Sequence, residues 1–228
     1  MGKTEFVFRL LPIVYRLLLT YHVLDLHQLL RPFLSAPLSE DQLHQLRLYL
    51  DLLLKWNTKI NLTAIRDPEE IVRRHFGESL FAGEQLQPEA GSTLIDVGSG
   101  AGFPGLPIKI LAPQIEVTLI ESQQKKVAFL REAIRTLGVD AVSVHAGRAE
   151  GSQVRSQIVT LRAIEKFESA VPVAASLLEP RGRLALLIGA SQAQIAHKLL
   201  PGYEWQEPIE IPDSRQRILL VGSSTGLI

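Results

Sequence analysis

The spacing of hydrophobic positions changes near residue 91, and this change divides the chain into a helical part and a part that alternates strands with helices. In the first part, one set of leucines recurs every three or four residues, which is typical of a helix with one buried face: Leu43, Leu46, Leu50, Leu53 and Leu54. Ser39 and Gln42 form a capping-box pattern, so a helix is predicted over 39–56. Asp67 followed by Pro68 predicts the start of a second, short helix.

After residue 91 short apolar runs predict seven strands: Thr93–Val97, Glu116–Ile120, Ala141–Val144, Ile158–Leu161, Arg183–Ile188, Glu207–Ile211 and Arg217–Val221. Helical patterns lie between them, at Leu106–Leu111, Gln123–Leu137, Phe167–Leu178 and Gln192–Leu200. This alternation predicts an α/β fold with a mostly parallel, seven-stranded sheet covered on both faces, and an antiparallel strand pair at its edge. We therefore expect an N-terminal extension over 1–37, a helical cap over 38–90 and an α/β domain over 91–228.

The N-terminal extension is apolar from Phe6 to Leu30, but Arg9, Arg16 and Asp25 interrupt it. A membrane-spanning helix needs about 20 predominantly apolar residues, so no span is predicted. The expected structure is a helix that packs on the rest of the protein, and a membrane-surface anchor is the alternative.

Composition removes several classes of function. The 24 basic and 24 acidic residues balance, so the protein is not expected to coat nucleic acid by bulk charge. The chain has no cysteine, which excludes disulfides, Cys-ligated zinc and a cysteine nucleophile. No metal site is predicted.

A glycine-rich loop follows the first predicted strand and carries the strongest chemical signal. Gly98, Gly100 and Gly102 come directly before a predicted helix, where glycine allows a ligand to approach the backbone closely. The third glycine of a dinucleotide motif is replaced by Phe103, and the acidic Asp96 stands beside the loop. An acidic residue favours a cationic ligand over a phosphate. These features favour S-adenosylmethionine, which has a sulfonium and an amine, and we predict that Asp96 and the three glycines bind it.

Carboxylates follow the next two predicted strands. Glu121 ends the second strand, where a carboxylate can accept hydrogen bonds from both hydroxyls of a ribose. Ala149 and Glu150 follow the third strand, at the place where an adenine edge would lie in such a fold. A solvated loop is the alternative interpretation of both sites.

Arg162 ends the fourth predicted strand. In this class of fold, the end of that strand faces the methyl group of the bound S-adenosylmethionine. The chain has neither an Asp/Asn-Pro-Pro-aromatic tetrapeptide for an exocyclic amine nor a cysteine for a pyrimidine carbon. The N7 atom of guanine fits what remains, because it needs no deprotonation. Arg162 could align the guanine with its planar fork, or form a structural ion pair. His75 could be a base, a group that stacks on the guanine, or a packed histidine.

Motifs in one order along the chain resemble those of a known family: Lys55-Trp56-Asn57, Asn61-Leu62-Thr63, Arg66-Asp67-Pro68, Arg74-His75, Asp96–Pro107, Glu121-Ser122, Lys125–Leu130 and Arg162-Ala163. Over about residues 38–222 the chain resembles the bacterial ribosomal RNA small subunit methyltransferase G family, once called glucose-inhibited division protein B. The resemblance implies a Rossmann-like, class I, S-adenosylmethionine-dependent methyltransferase that acts on N7 of a guanine in the decoding-site hairpin of 16S rRNA. It also implies cofactor contacts, with Glu121 on the ribose and the others at Gly98, Phe103, Ala149, Glu150 and Arg162.

The sequence departs from the family pattern at Ile188, where a lysine is usual, and at Gln216, where a histidine is usual. Two alternatives to an rRNA methyltransferase therefore stay open: a small-molecule methyltransferase on the same fold, or a catalytically weak module that binds S-adenosylmethionine or RNA. Basic clusters at Arg73-Arg74 and Lys125-Lys126 favour RNA. The zero net charge favours a structured ribonucleoprotein, the 30S subunit, over naked RNA. We expect a monomer in the cytoplasm.

Overall fold

The computed structural model describes residues 24–163 and 166–224. Its α-helices are α1 (Leu26–Leu30), α2 (Glu40–Asn57), α3 (Pro68–Ile71), α4 (Glu78–Leu86), α5 (Gly105–Leu111), α6 (Gln124–Leu137), α7 (Phe167–Ser176) and α8 (Ala193–Leu199). Its strands are β1 (Thr93–Val97), β2 (Glu116–Glu121), β3 (Val142–Ala146), β4 (Ser156–Arg162), β5 (Leu178–Gly189), β6 (Tyr203–Trp205), β7 (Ile209–Glu210) and β8 (Arg217–Ser224).

The predicted helix starts are confirmed by their capping bonds. Ser39 accepts a hydrogen bond from the Gln42 backbone while the Gln42 side chain accepts one from the Ser39 backbone, which satisfies two free N–H groups at the start of α2. Asp67 caps α3, whose first residue is Pro68. A π-helical stretch, Val72–Gly77, joins α3 to α4 without a break, and such stretches are frequent at functional sites.

The strands form one sheet in the order β3-β2-β1-β4-β5-β8-β6. The first five are parallel, and β8 runs antiparallel to β5. Strands β6 and β7 both pair with β8, at opposite ends of it, so they share one edge position. The predicted mostly parallel sheet is confirmed. It has one more strand segment than predicted, because Tyr203–Trp205 pairs with β8 before the predicted edge strand begins.

Two apolar layers cover the sheet. On one face, α1, α2, α4, α5 and α6 pack in a core centred on Leu46, Leu53, Phe76 and Leu106. On the other face, α7 and α8 cover Val159, Leu184 and Leu220. The cap helices therefore belong to the same core as the parallel strands, and they bring their polar residues to the carboxyl edge of the sheet.

The predicted N-terminal extension lies outside the described residues up to residue 23. Its described end forms α1 and a short 3-10 turn, Arg31–Phe33, with Leu26, Leu30 and Phe33 buried. Within the described ranges, no helix is long and apolar enough to cross a bilayer. The same ranges hold no group of three or more side chains that could ligate a metal ion.

Candidate cofactor cleft and its polar wall

A cleft of about 450 Å³ opens at the carboxyl edge of β1, β2 and β4. Its size lies within the usual range of small-molecule sites, about 300–1,000 Å³. The ends of β1, β2, β3 and β4, the loops that follow them, and α6 and α7 line it: Gly98, Glu121, Ser122, Lys126 of α6, Gly147, Arg148, Ala149, Glu150, Ala163 and Lys166, with Ser169, Ala170 and Val173 from α7. Of the predicted cofactor residues, Gly98, Glu121, Ala149 and Glu150 therefore lie on its surface.

The three glycines of the loop have different surroundings. Gly98 is exposed at the cleft, with φ at 67°. Gly100 donates its N–H to Glu121 Oε2 at 2.9 Å. Gly102 has φ at 89°, and a Cβ there would lie 2.5 Å from Tyr49 Oη, so packing against the cap excludes any larger residue. Only Gly98 of the three lines the cleft.

Glu121 fastens the loop while it faces the cleft. Its Oε2 accepts from Gly100 and its Oε1 accepts from the Gln123 backbone at 2.8 Å. The residue is 6% exposed. An ionised carboxylate offers about four acceptor positions, so two remain for ligand hydroxyls. This geometry fits the predicted ribose contact.

Asp96 lies behind the loop, and the structure does not place it on the cleft surface. It is fully buried, with Oδ2 accepting from the Gly105 backbone at 3.1 Å and Oδ1 from Thr160 Oγ1 at 3.0 Å. Burial raises the pKa of Asp96 to about 6, although hydrogen bonds from Gly105 and Thr160 act in the opposite direction. Its negative charge lies at the N-terminus of α5, where it is favourable. Asp96 therefore holds the helix that follows the glycine loop.

Phe103 also points away from the cleft, into an aromatic cluster beneath the cap. Its ring stacks on Tyr49 at 5.3 Å and on His75 at 4.9 Å, and Phe76 lies 5.4 Å away. Tyr49 Oη donates to the carbonyl of Ala101 inside the glycine loop. Burial raises the pKa of Tyr49 well above its ordinary value. The cluster thus ties α2 to the loop that follows β1.

Arg162 is 9% exposed and joins the end of β4 to the cap. Its Nε and Nη2 donate to Glu78 Oε2 at 3.3 and 2.9 Å, and Nη2 also donates to the Arg74 carbonyl at 2.6 Å. Its Nη1 donates to His75 Nδ1 at 3.0 Å. Of the five N–H groups of a guanidinium, four are therefore directed at protein acceptors. This favours the ion-pair interpretation of Arg162, while its alignment of a guanine stays a prediction.

His75 is held by both ring nitrogens. Because Arg162 can only donate, Nδ1 is the acceptor and Nε2 carries the proton, which it donates to Thr63 Oγ1 at 2.7 Å. Burial lowers the pKa of His75 to about 2, with the charges of Arg162, Arg74 and Arg217 adding to the effect. Of the three roles considered for His75, the structure favours the packed histidine.

Glu78 pairs with Arg162, a role that was not predicted from the sequence. It is 1% exposed, and its carboxylate lies 2.9 Å from Arg162 Nη2, 3.0 Å from Arg217 Nε and 3.6 Å from Arg74 Nε. The available signal was its place inside a buried helix start, because a buried carboxylate there requires a cationic partner. The partners come from β4 and β8, which no local pattern joins to α4. We call Glu78, His75, Arg74, Arg162 and Arg217 the Glu78 network.

Both departures from the family pattern lie near Arg217 of the Glu78 network. Ile188 is buried in β5 and pairs with Ile218. Gln216 is exposed, with φ at 59°, and its carbonyl accepts from the Ala190 backbone at 2.8 Å. Neither side chain belongs to the cleft lining.

Solved structures similar to this chain share its fold. The ribosomal protein L11 methylase of Lactobacillus delbrueckii subsp. bulgaricus matches with a TM-score of 0.58 at 13% identity, covering 67% of this chain and 79% of that one. TYW2 of M. jannaschii, solved in complex with AdoMet, matches with a TM-score of 0.55 at 14% identity, covering 73% and 78%. The predicted class I methyltransferase fold is confirmed.

Sequence relatives are closer. Ribosomal RNA small subunit methyltransferase G of Chloroflexus aggregans is 39% identical over 200 residues, which cover 82% of this chain and 84% of the relative. The protein of the same name from Roseiflexus sp. is 41% identical over 197 residues, covering 81% and 84%. The family model described as rRNA small subunit methyltransferase G matches residues 42–203. With a model match over most of its length and relatives near 40% identity, this chain belongs to the rRNA small subunit methyltransferase G family.

Proposed function

We propose that this protein transfers a methyl group from S-adenosylmethionine to N7 of a guanine in the decoding-site hairpin of 16S rRNA, with the 30S subunit as substrate. Family membership carries the coarser part of this proposal, the methylation of small-subunit rRNA. The finer part, the choice of guanine N7, rests on the chemistry of His75, Asp96 and Arg162 near the end of β4. The monomeric state and the cytoplasmic location stay predictions.

The residues of the cleft fit S-adenosylmethionine. Glu121 has acceptor positions left for the two ribose hydroxyls, and Gly98 presents backbone without a side chain. Ala149 and Glu150, on the turn after β3, lie on the same side of the cleft as Gly147 and would contact the adenine. The bound cofactor supplies a methyl group that is electrophilic because a sulfonium carries it.

The groups at the end of β4 favour a target atom that needs no base. The pKa of His75 is lowered to about 2 and its Nδ1 is occupied by Arg162, so it is a poor proton acceptor near neutral pH. Asp96 is fully buried and accepts hydrogen bonds from two protein donors. Guanine N7 is unprotonated at neutral pH and can attack the methyl carbon directly.

Positioning would then supply most of the catalysis. Holding the nucleophile and the methyl group in line can lower a barrier by about 7–11 kcal/mol. Arg162 is a positioning residue in this mechanism, because it fixes the cap against β4 directly beside the cleft residue Ala163. Arg162→Lys keeps the charge but loses the planar fork, so most of the activity should be lost.

Single-turnover methyl transfer to 30S subunits lacking the modification, followed by mass-spectrometric mapping of 7-methylguanine in 16S rRNA, tests this proposal. We expect one modified guanine in the decoding-site hairpin and a rate that is flat from about pH 6 to 8.5. A methyl group on another atom or another nucleotide would refute the specificity. A rate that rises with pH in the wild type and becomes flat in His75→Asn would show that His75 is a base. Methylation of a small molecule without rRNA would favour the alternative enzyme class.

A further inference from the structure

The Glu78 network carries more positive charge than its carboxylate can balance. Three guanidinium groups surround Glu78, and His75 is neutral. The arginines therefore exceed the Glu78 carboxylate by two positive charges. The exposed Glu70 lies 3.7 Å from Arg74 Nη1 at the rim. Exposed pairs of this kind are weak. Even when Glu70 is counted, three guanidinium groups face two carboxylates, so the network keeps a net positive charge.

Two of the three arginines also have donors without acceptors. Among the described residues, Nε and Nη2 of Arg217, Nε of Arg74 and Oε1 of Glu78 are buried without a hydrogen bond; the two Nε atoms form ion pairs with Glu78 Oε1 at 3.0 and 3.6 Å, which leaves Arg217 Nη2 with no partner. Buried polar groups are nearly always hydrogen-bonded, and an unsatisfied one needs an explanation. Arg162 differs, because its donors already have protein acceptors.

The two arginines lie beside the place where a substrate would enter. Arg217 begins β8 and pairs with Gly189 at the end of β5, next to the end of β4. Arg74 comes from the π-helical stretch, and its carbonyl contacts Arg162, the residue before Ala163 of the cleft. The side chain of Arg74 is 42% exposed and that of Arg217 19% exposed, so an anion can reach both.

We propose that Arg74 and Arg217, held in place by Glu78, form a site for a phosphodiester group of the RNA strand whose base enters the cleft. This inference rests on the proposed function, because an RNA target brings phosphates on both sides of its base. A guanidinium binds phosphate through paired N–H groups, and such contacts fix the register of a strand without reading its sequence. Glu78 acts as the positioning residue of the site, because its Oε1 pairs with the Nε atoms of both arginines and so orients their guanidinium groups.

Equilibrium binding of a fluorescent RNA hairpin with the decoding-site sequence tests the site without requiring activity. Between about 50 and 200 mM salt, each phosphate contact contributes about 0.7–0.9 to the slope of log affinity against log salt. Arg74→Gln and Arg217→Gln should each weaken binding and reduce the slope, and the double variant should reduce it by about 0.7–0.9, the contribution of the one phosphate that the two arginines share. Arg155→Gln is the matched control. The substitution removes the same charge, but Arg155 is exposed at the opposite end of β4.

Unchanged slopes in both single variants would overturn the proposal. So would a loss of affinity for S-adenosylmethionine, measured by calorimetry, with RNA binding intact, since the anion would then be the carboxylate of the cofactor. The Arg74→Gln variant, whose side chain is 42% exposed, should lose less stability than Arg217→Gln, as its melting temperature will show, and it keeps the test valid if Arg217→Gln folds poorly. If wild-type protein binds the hairpin with the expected slopes but transfers no methyl group to guanine N7, the proposed function fails and the phosphate site stands.

Discussion

The cofactor cleft and the Glu78 network both lie at the carboxyl edge of the sheet, but they use their polar groups differently. In the cleft, Glu121 accepts one hydrogen bond from Gly100 of the glycine loop and one from the Gln123 backbone, and it keeps acceptor positions open. In the network, the donors of Arg162 and both nitrogens of His75 are consumed by the protein. An open polar group is available to a ligand, whereas a closed one holds structure together. Substitutions in the cleft should therefore change binding, and substitutions of Glu78, Arg162 and His75 should change stability.

Glu78→Gln should have the largest effect, and it should act on stability. Removing one partner of a buried ion pair costs about 3–5 kcal/mol, because it leaves an uncompensated buried charge. Arg162, which is almost fully buried, would lose its carboxylate. Urea unfolding of the wild type and the variant measures the loss.

Glu70→Gln is the control for this substitution, since Glu70 pairs with the same Arg74 from an exposed position. It should change the free energy of unfolding by no more than about 0.5 kcal/mol. A loss below about 1 kcal/mol in Glu78→Gln would show that the network does not hold the cap on the sheet.

Glu121→Ala should act on cofactor binding. Hydrogen bonds to charged groups contribute about 1.5–3 kcal/mol each, so loss of the ribose contacts should raise the Kd for S-adenosylmethionine at least about tenfold. Calorimetry measures this, with Glu116→Ala as the control, because Glu116 is exposed at the other end of β2. An increase below threefold would mean that Glu121 does not hold the ribose.

The same contrast explains what the sequence could predict. The caps at Ser39 and Asp67, the glycine loop and most strands are set by residues within a few positions of one another, and they were predicted close to their observed bounds. Strand β5 is an exception, because it begins at Leu178, five residues before the predicted start and inside the predicted helix Phe167–Leu178. The missed strand β6 has three residues and exists because β8 pairs with it. Its local pattern is too short to be recognised.

Within the site, the sequence could predict the position of a residue that ends a strand, but not the position of a residue placed by distant contacts. Glu121 lies where a carboxylate after β2 must lie. Asp96 was predicted at the cleft from its nearness to the glycines, and Phe103 from the family resemblance, but contacts with Thr160 and Tyr49 hold both side chains in the interior. Glu78 was missed because its partners lie on β4 and β8. Arg217, the more distant of these two in sequence, is 139 residues away.

His75 allows a test of the closed state of the network through pH. The unfolded chain protonates His75 near the ordinary pKa of 6.5, whereas the folded protein does so only near 2, so the stability it contributes falls as the pH drops below 6.5. At about 1.36 kcal/mol per pH unit, the wild type should lose about 2 kcal/mol relative to His75→Asn between pH 6.5 and 5. Urea unfolding at these two pH values measures the change.

The comparison of variants is needed because Asp96 acts in the opposite direction. Its folded-state pKa is raised to about 6, so it contributes stability that grows as the pH falls from 6 towards 3.8. Asp96 is present in both proteins and cancels in the difference. His27→Asn, at an exposed position on α1, is the matched control. A constant difference between His75→Asn and wild type would contradict the neutral, buried state of His75.

Tyr49→Phe should have the smallest effect and should be felt in both regions. The Tyr49 hydroxyl donates to the Ala101 carbonyl, and its removal should cost about 1 kcal/mol, the net contribution of a typical hydrogen bond. Because Ala101 lies between Gly100 and Gly102, the loop should also become less ordered and bind S-adenosylmethionine several-fold more weakly. Tyr203→Phe, which removes a hydroxyl from a half-buried residue at the sheet edge, should change neither quantity. If Tyr49→Phe lowers stability but leaves the affinity unchanged, the cap supports the fold without shaping the cleft. A fall in both would make this one hydroxyl the link through which the cap positions the glycine loop.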